Sequence, residues 1–256
     1  MSPAVAPVMK SAFAWPSGIR GALSLTFDDS RPSQLENGVP LFDRFGVHAT
    51  FYVVPAAVEQ RRDDWRRAVD TGHEAAGHML THPCTCNFGF SGSSSPALED
   101  MTLEDIKAEI VASNAQIEQL VGVRPISFAY PCGQKFVGRG QDLQSYVPVV
   151  ARHYLTGRGW RDEYFNVPDR CDLAQLAGVE FDMLDFEDIK PQIDDAARTG
   201  TWLVLGGHDI GEERRRQVTK MATLEAVCRY CKDAAKGIWI DTVGAIGTYI
   251  RRTRGF

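Results

Sequence analysis

The feature that most constrains this chain is a repeated alternation of short apolar runs, rich in β-branched and aromatic residues, with stretches of helical period. Parallel strands need a crossover between them, and a helix is the usual crossover, so this order predicts an α/β fold with a parallel sheet. Ala22 to Thr26 predicts a first strand. Leu35 to Phe45 predicts a helix ended by Gly46, and His48 to Val54 a second strand stopped by Pro55. Val58 to Asp70 has the charge and periodicity of a surface helix, and Gly72 to Gly77 leads into a third strand. Thr102 and Asp105 resemble a capping pair opening a helix to about Leu120, with Leu103, Ile106, Ile110, Ile117 and Leu120 on its buried stripe. Further strands are predicted at Ile126 to Tyr130, Val179 to Leu184, Trp202 to Leu205 and Gly237 to Ile240. Helices are predicted at Phe186 to Arg198, Gln217 to Lys236 and Val243 to Arg251. There is no internal repeat and no linker, so residues 21–256 are read as one domain behind an N-terminal extension, residues 1–20. Its expected form is a distorted (β/α) barrel of about seven parallel strands. Residues 134–177 give no clear pattern.

Composition narrows the function classes. A net charge of −5 gives no basic footprint for nucleic acid. The Arg61-Arg62 and Arg66-Arg67 pairs sit among acids and read as solvated helix faces. No apolar run approaches a membrane span, and Met1 to Gly18 lacks the apolar stretch of a signal peptide. The compartment therefore stays open between cytoplasmic and, if a leader was removed, secreted or periplasmic. The six cysteines are too few for a disulfide scaffold at this length and are read as reduced thiols.

In a parallel barrel the loops after the strands build the active site, so polar residues at strand ends carry the argument. Thr26-Phe27-Asp28-Asp29 places two carboxylates after the first strand. Neighbouring side chains on an extended backbone point apart, so one can ligate a metal while the other acts as a base; either can also merely cap the next turn. His78 and His82 lie four residues apart after the third strand, a spacing that lets both imidazoles converge on one cation. Leu205-Gly206-Gly207-His208-Asp209 ends another strand with paired glycines, which permit close approach, and an imidazole that can serve as a general acid. Phe128-Ala129-Tyr130-Pro131-Cys132-Gly133 breaks a strand where backbone N–H groups can face a substrate oxygen. The long polar loop from Pro83 to Asp100 is a candidate functional loop.

Taken in order, these pieces resemble the motifs of the polysaccharide deacetylase family, carbohydrate esterase family four, with its NodB homology domain, over roughly Ala22 to Tyr249. The resemblance implies Asp28 as catalytic base and Asp29, His78 and His82 as ligands of one divalent metal ion, Zn²⁺ first with Co²⁺, Ni²⁺ or Mn²⁺ as alternatives. It implies His208 as catalytic acid. Asp182-Met183-Leu184-Asp185-Phe186 is similar to the motif whose later aspartate orients that histidine, which implies Asp185. The family often carries an arginine in its third motif that contacts the base, and Ala129 stands there instead. The Cys132 backbone N–H is then the candidate oxyanion donor. The implied activity is metal-dependent hydrolysis of N- or O-acetyl groups from a polysaccharide or oligosaccharide, with an acetylated glycan as partner. Phe88 and Trp160 are conjectured to line its groove. The rivals are an amidase of the same superfold acting on a small amide and a non-catalytic carbohydrate-binding protein; all three metal-site residues, Asp28 and His208 are present.

Overall fold

Strand β1 (Gly21–Asp28) shows how the barrel is built. Side chains alternate along a strand, and Leu23, Leu25 and Phe27 join the large apolar core between sheet and helices. Ala22, Ser24, Thr26 and Asp28 therefore point the other way, and every residue of the strand is buried. The same alternation continues in β2 (Thr50–Val53), where Phe51 and Val53 enter the outer core while Thr50 and Tyr52 face inward. Tyr52, Ala76 and Ala129 cluster inside. At its C-terminal end the inward column reaches Asp28, so the pleat that builds the core also carries the first acid to the barrel mouth.

The computed structural model describes residues 11–93 and 95–255. Residues 1–10 of the expected N-terminal extension lie outside the described residues, as does residue 94 of the Ser91 to Pro96 stretch. The remaining sheet strands are β3 (Glu74–Gly77), β4 (Ser127–Ala129), β5 (Thr156–Arg158), β6 (Val179–Glu180), β7 (Trp202–Gly207) and β8 (Ile238–Ile240). All pairings in this sheet are parallel, in the order β5-β4-β3-β2-β1-β7-β6. Strand β8 pairs with Gly21–Leu23 of β1, and β2 with Thr26–Asp28. The sheet closes where Leu176, in the segment leading into β6, bridges to Arg158 of β5, with Leu176 N–H donating to Gly157 O and Gly159 N–H to Leu176 O, both at 2.7 Å. A curled sheet joined through one bridge is the distorted barrel expected, in a single domain.

The helix Val243–Thr253 supports the opposite end: Val243, Ile246 and Ile250 pack with Ala22, Trp202 and Val204. The helix opened by Thr102 runs Leu103–Val121, with the reciprocal Thr102/Asp105 cap in place and Ile106, Ile110 and Ile117 buried. Its partly buried Leu103 and Leu120 flank that stripe.

Three expectations need correction. The helix predicted over 58–70 is two, Pro55–Gln60 and Arg62–Asp70, because Arg61 leaves helical geometry at φ −134°, ψ 41° while its guanidinium pairs with Asp64 and Glu36. The unread segment contains a helix, Val147–His153, and β5, a strand of only three residues with glycine at its centre and too short to show a period. Cys84 and Cys132 form a disulfide rather than remaining reduced. The pair is 48 residues apart in sequence, so only the fold reveals it. Cys228 and Cys231 are buried in the helix Met221–Lys232.

Candidate active site

Asp28 and Asp29 end up with different surroundings, as adjacent side chains at a strand end should. Asp28 finishes β1 facing inward, while Asp29 turns into the left-handed region at φ 73°. Ser30, Met79, His82 and Cys132 also adopt positive φ, at 53° to 66°. Non-glycine residues in this region cost about 1–2 kcal/mol each, and their gathering after β1, β3 and β4 marks a region held in place by its surroundings.

Asp29 Oδ1 lies 3.6 Å from His78 Nε2 and 3.4 Å from His82 Nε2, and the two Nε2 atoms are 3.1 Å apart. The His78 Nδ1 partner is the Ala129 carbonyl at 2.9 Å. A carbonyl can only accept, so Nδ1 carries the proton and the Nε2 lone pair points to Asp29 and His82. The turn between the histidines is pinned by Glu109, whose carboxylate accepts from Leu80 N–H, Thr81 N–H and Thr81 Oγ1, each at 2.9 Å. Ser95 Oγ donates to the carbonyls of Thr81 and His82 from the other side.

One carboxylate oxygen and two imidazole nitrogens facing one point are a donor set suited to a divalent cation such as Zn²⁺. His82, Cys84 and Cys132 form a second gathering within 4.8 Å, but its two sulfurs are joined to each other and are not thiolates. The first set alone keeps its lone pairs available. Its protonation states agree. Burial, followed by the electrostatic influence of the adjacent His78, lowers His82 to about 4, leaving it neutral near pH 7. Burial alone would raise Asp29, yet its contact with His78 and the pull of the His78, His82 and His208 imidazoles toward the carboxylate form hold it far below the usual carboxylate range.

Asp28 is held by Arg158. Nη2 of this fully buried arginine lies 2.7 Å from Asp28 Oδ1 and 2.6 Å from Oδ2. His208 lies at the end of β7, where Asp182 Oδ2 accepts from its Nδ1 at 2.7 Å. Asp182 Oδ1 accepts from His208 N–H and from Thr219 Oγ1. Burial would lower the His208 pKa, but the hydrogen bond to Asp182 and the charges of Asp28, Asp182 and Asp29 outweigh it and raise the pKa above its usual value. Gln34 ties the two sides together, its Nε2 donating to the carbonyls of Asp28 and His208. The Trp160 ring meets the His208 ring edge-on at 4.9 Å.

The structure thus brings Asp28, Asp29, His78, His82 and His208 to one mouth of the barrel and does not bring Asp185 there. Asp185 caps the helix Phe186–Thr199 in a reciprocal pair with Asp188 and binds Lys220. The orienting position beside His208 belongs to Asp182, three residues earlier, at the start of the tight turn that leaves β6. Cys132 sits in the turn Pro131–Gly133, tied by its side chain to the base of the His82 loop, where Cys84 Sγ is 3.7 Å from His82 Nδ1. The paired glycines admit protein rather than ligand. A Cβ on Gly206 would come within 2.4 Å of Trp160 and 2.5 Å of Arg158, and one on Gly207 within 2.5 Å of Thr219 and 2.9 Å of Asp182. Sequence reasoning missed Arg158 and chose Asp185 over Asp182. The usable signals were the arginine before Gly159-Trp160 and the first acid of the 182–186 motif.

Three comparisons place this geometry among known proteins. A gellan lyase from a Bacillus species is 27% identical over 146 residues, which cover 57% of this chain but only 5% of that protein's length. The crystal structure of a putative polysaccharide deacetylase from Mycobacterium smegmatis superposes with a TM-score of 0.69 at 15% identity, over 98% of this chain and 96% of that one. The Puue allantoinase superposes with a TM-score of 0.64 at 17% identity, over 94% of each chain. At these identities the two structures establish the shared fold. The model of the family described as polysaccharide deacetylase matches residues 17–144, half of the chain, with the paired aspartates and both histidines inside the match, and the chain belongs to the polysaccharide deacetylase family.

Proposed function

We propose that this protein is a metal-dependent carbohydrate deacetylase that hydrolyses N-acetyl or O-acetyl groups from a polysaccharide or oligosaccharide. The observation that carries the reading is the convergence of Asp29, His78 and His82 between an arginine-held carboxylate and an aspartate-held imidazole. Asp29, His78 and His82 would hold the ion, Zn²⁺ in the first instance. A divalent cation there supplies Lewis-acid polarisation of the acetyl carbonyl and acidifies an attacking water.

The chain's own groups do the rest. Asp28 accepts the proton of the water as its oxygen bonds to the acetyl carbon. The Cys132 backbone N–H serves as a donor to the oxyanion, in a turn that the disulfide fixes beside the His82 loop. His208, kept protonated by Asp182, donates its Nε2 proton to the sugar nitrogen or oxygen as the bond to the acetyl carbon breaks. The products are acetate and the free amine or hydroxyl. Phe88 and Phe90 stack at 5.4 Å, remain partly exposed, and lie beside His82, with the Phe90 and His82 ring centres 6.4 Å apart. Such a platform suits the apolar face of a sugar ring and favours a glycan over a small amide.

Acetate release from a panel of N-acetylated and O-acetylated glycans, with added Zn²⁺ or Co²⁺ and with chelator, tests the proposal. Metal-dependent release is expected, with turnover lost and metal retained in Asp28→Asn, and both lost in His78→Ala. Full activity in either variant would refute the assignment. No release from any glycan by metal-loaded protein would point to an amidase instead.

A further inference from the structure

The base contact that the family resemblance places on β4 is supplied here from the next strand. We propose that Arg158, on β5, is the positioning residue of Asp28. Arg158 and Ala129 are direct partners in the β4–β5 register, so their side chains enter the barrel interior at the same level, one strand apart. Ala129 is fully buried beside Tyr52 and Ala76 and contributes only a methyl group there. The guanidinium of Arg158 lies 4.8 Å from the Tyr52 ring centre and 5.1 Å from that of Trp160, held between two aromatic rings.

The slot is shaped for this side chain. A Cβ on Gly206 would meet Arg158 Nη1 at 2.5 Å, and one on Gly178 would meet Arg158 Cδ at 2.9 Å. Rings on both sides and bare backbone beside it leave the guanidinium one place to sit. Its Nη2 then spans both Asp28 oxygens and sets the direction of the carboxylate. A buried arginine cannot shed its charge, and among the described residues the ion partner recorded for it is Asp28. Trp160, two residues on along the same strand end, packs against His208. One segment therefore orients the base and walls the acid.

The inference rests on the deacetylase reading for its kinetic arm alone. The variants are Arg158→Met and the exchange Ala129→Arg/Arg158→Ala, both checked for folding by thermal melts and for bound Zn²⁺. In crystals of Arg158→Met the Asp28 carboxylate is expected to rotate away from its present direction, and in the exchange variant to return to it. In acetate release, Arg158→Met should lose about 100-fold in kcat, with KM and bound metal within about twofold of wild type, and the exchange should recover at least about tenfold. If Arg158→Met does not fold, Arg158→Lys, which keeps the buried charge but not the planar fork, replaces it in both arms. An unmoved Asp28, an unchanged kcat, or a folded and metal-loaded exchange variant with no recovery would overturn the proposal. Should the wild type release no acetate from any glycan, that result counts against the deacetylase reading, and the crystals alone decide on Arg158.

Discussion

Replacing Asp182 by Asn separates the two aspartates that can serve His208. The Asp182 carboxylate is buried and accepts from His208 Nδ1, His208 N–H and Thr219 Oγ1. An amide keeps the shape and one acceptor but removes the charge that holds the imidazolium proton. Hydrogen bonds to charged groups are worth about 1.5–3 kcal/mol, which corresponds to roughly 10- to 150-fold in the rate of a step that needs the protonated acid. The sign follows from the raised His208 pKa. Wild-type His208 stays protonated above the usual histidine range, so its activity should persist there and fall as pH rises through the raised value. Asp182→Asn should therefore show its full loss at about pH 8 and approach wild type as the pH drops below the ordinary histidine value. Stability follows the same linkage: the His208–Asp182 contribution is complete below the unfolded histidine pKa and disappears as pH rises through the folded one. The assay is kcat for acetate release from pH 5 to 9, with melts at each pH and Asp185→Asn in parallel. Asp185 caps a helix and is half exposed; asparagine caps a helix about as well, so its variant should lose at most about 1 kcal/mol with the Lys220 ion pair and keep kcat within about twofold. A wild-type pH profile in Asp182→Asn, or a larger catalytic loss in Asp185→Asn, would refute the assignment of Asp182.

Two further outcomes are expected. Phe88→Ala/Phe90→Ala should raise KM for an acetylated oligosaccharide about tenfold, the scale of one aromatic contact, while leaving kcat for a small acetyl ester unchanged; equal KM for the oligosaccharide would remove the platform from the substrate path. Cys84→Ser/Cys132→Ser opens a loop closed across 48 residues, for which the chain-entropy model gives a loss of about 4 kcal/mol in denaturant unfolding. Unfolding at the wild-type midpoint would mean that the pair contributes nothing to the folded protein.

What could be read from the sequence was what is local. Asp28-Asp29 and His78/His82 are fixed by spacings of one and four residues, and a strand end or a single turn converts those spacings into geometry without help from the rest of the fold. The Thr102/Asp105 cap was legible for the same reason. What escaped depends on separation: Arg158 reaches Asp28 across 130 residues and Asp182 reaches His208 across 26, and no periodicity connects either pair. Choosing between Asp182 and Asp185 turned on where β6 ends and the following helix begins, and element boundaries are what pattern reading resolves least well.

The misplaced arginine follows from barrel geometry. A side chain inside a parallel barrel has lateral neighbours at the same level on the adjoining strands, so a contact to Asp28 constrains the layer and leaves open which strand serves it. Two conditions let β5 serve it here: the partner on β4 is reduced to Ala129, and Gly206 and Gly178 clear the path of the longer side chain. A motif searched for in linear order finds alanine and registers a loss, although the charge beside Asp28 is present. The same reasoning applies to the aromatic side of the site. Phe186, after the 182–185 segment, packs against Tyr230 in the outer core, while Trp160, just beyond β5, meets His208. Arg158 and Trp160 are two residues apart and both flank Gly206, so one short segment at the end of β5 sends one side chain to Asp28 and the other to His208.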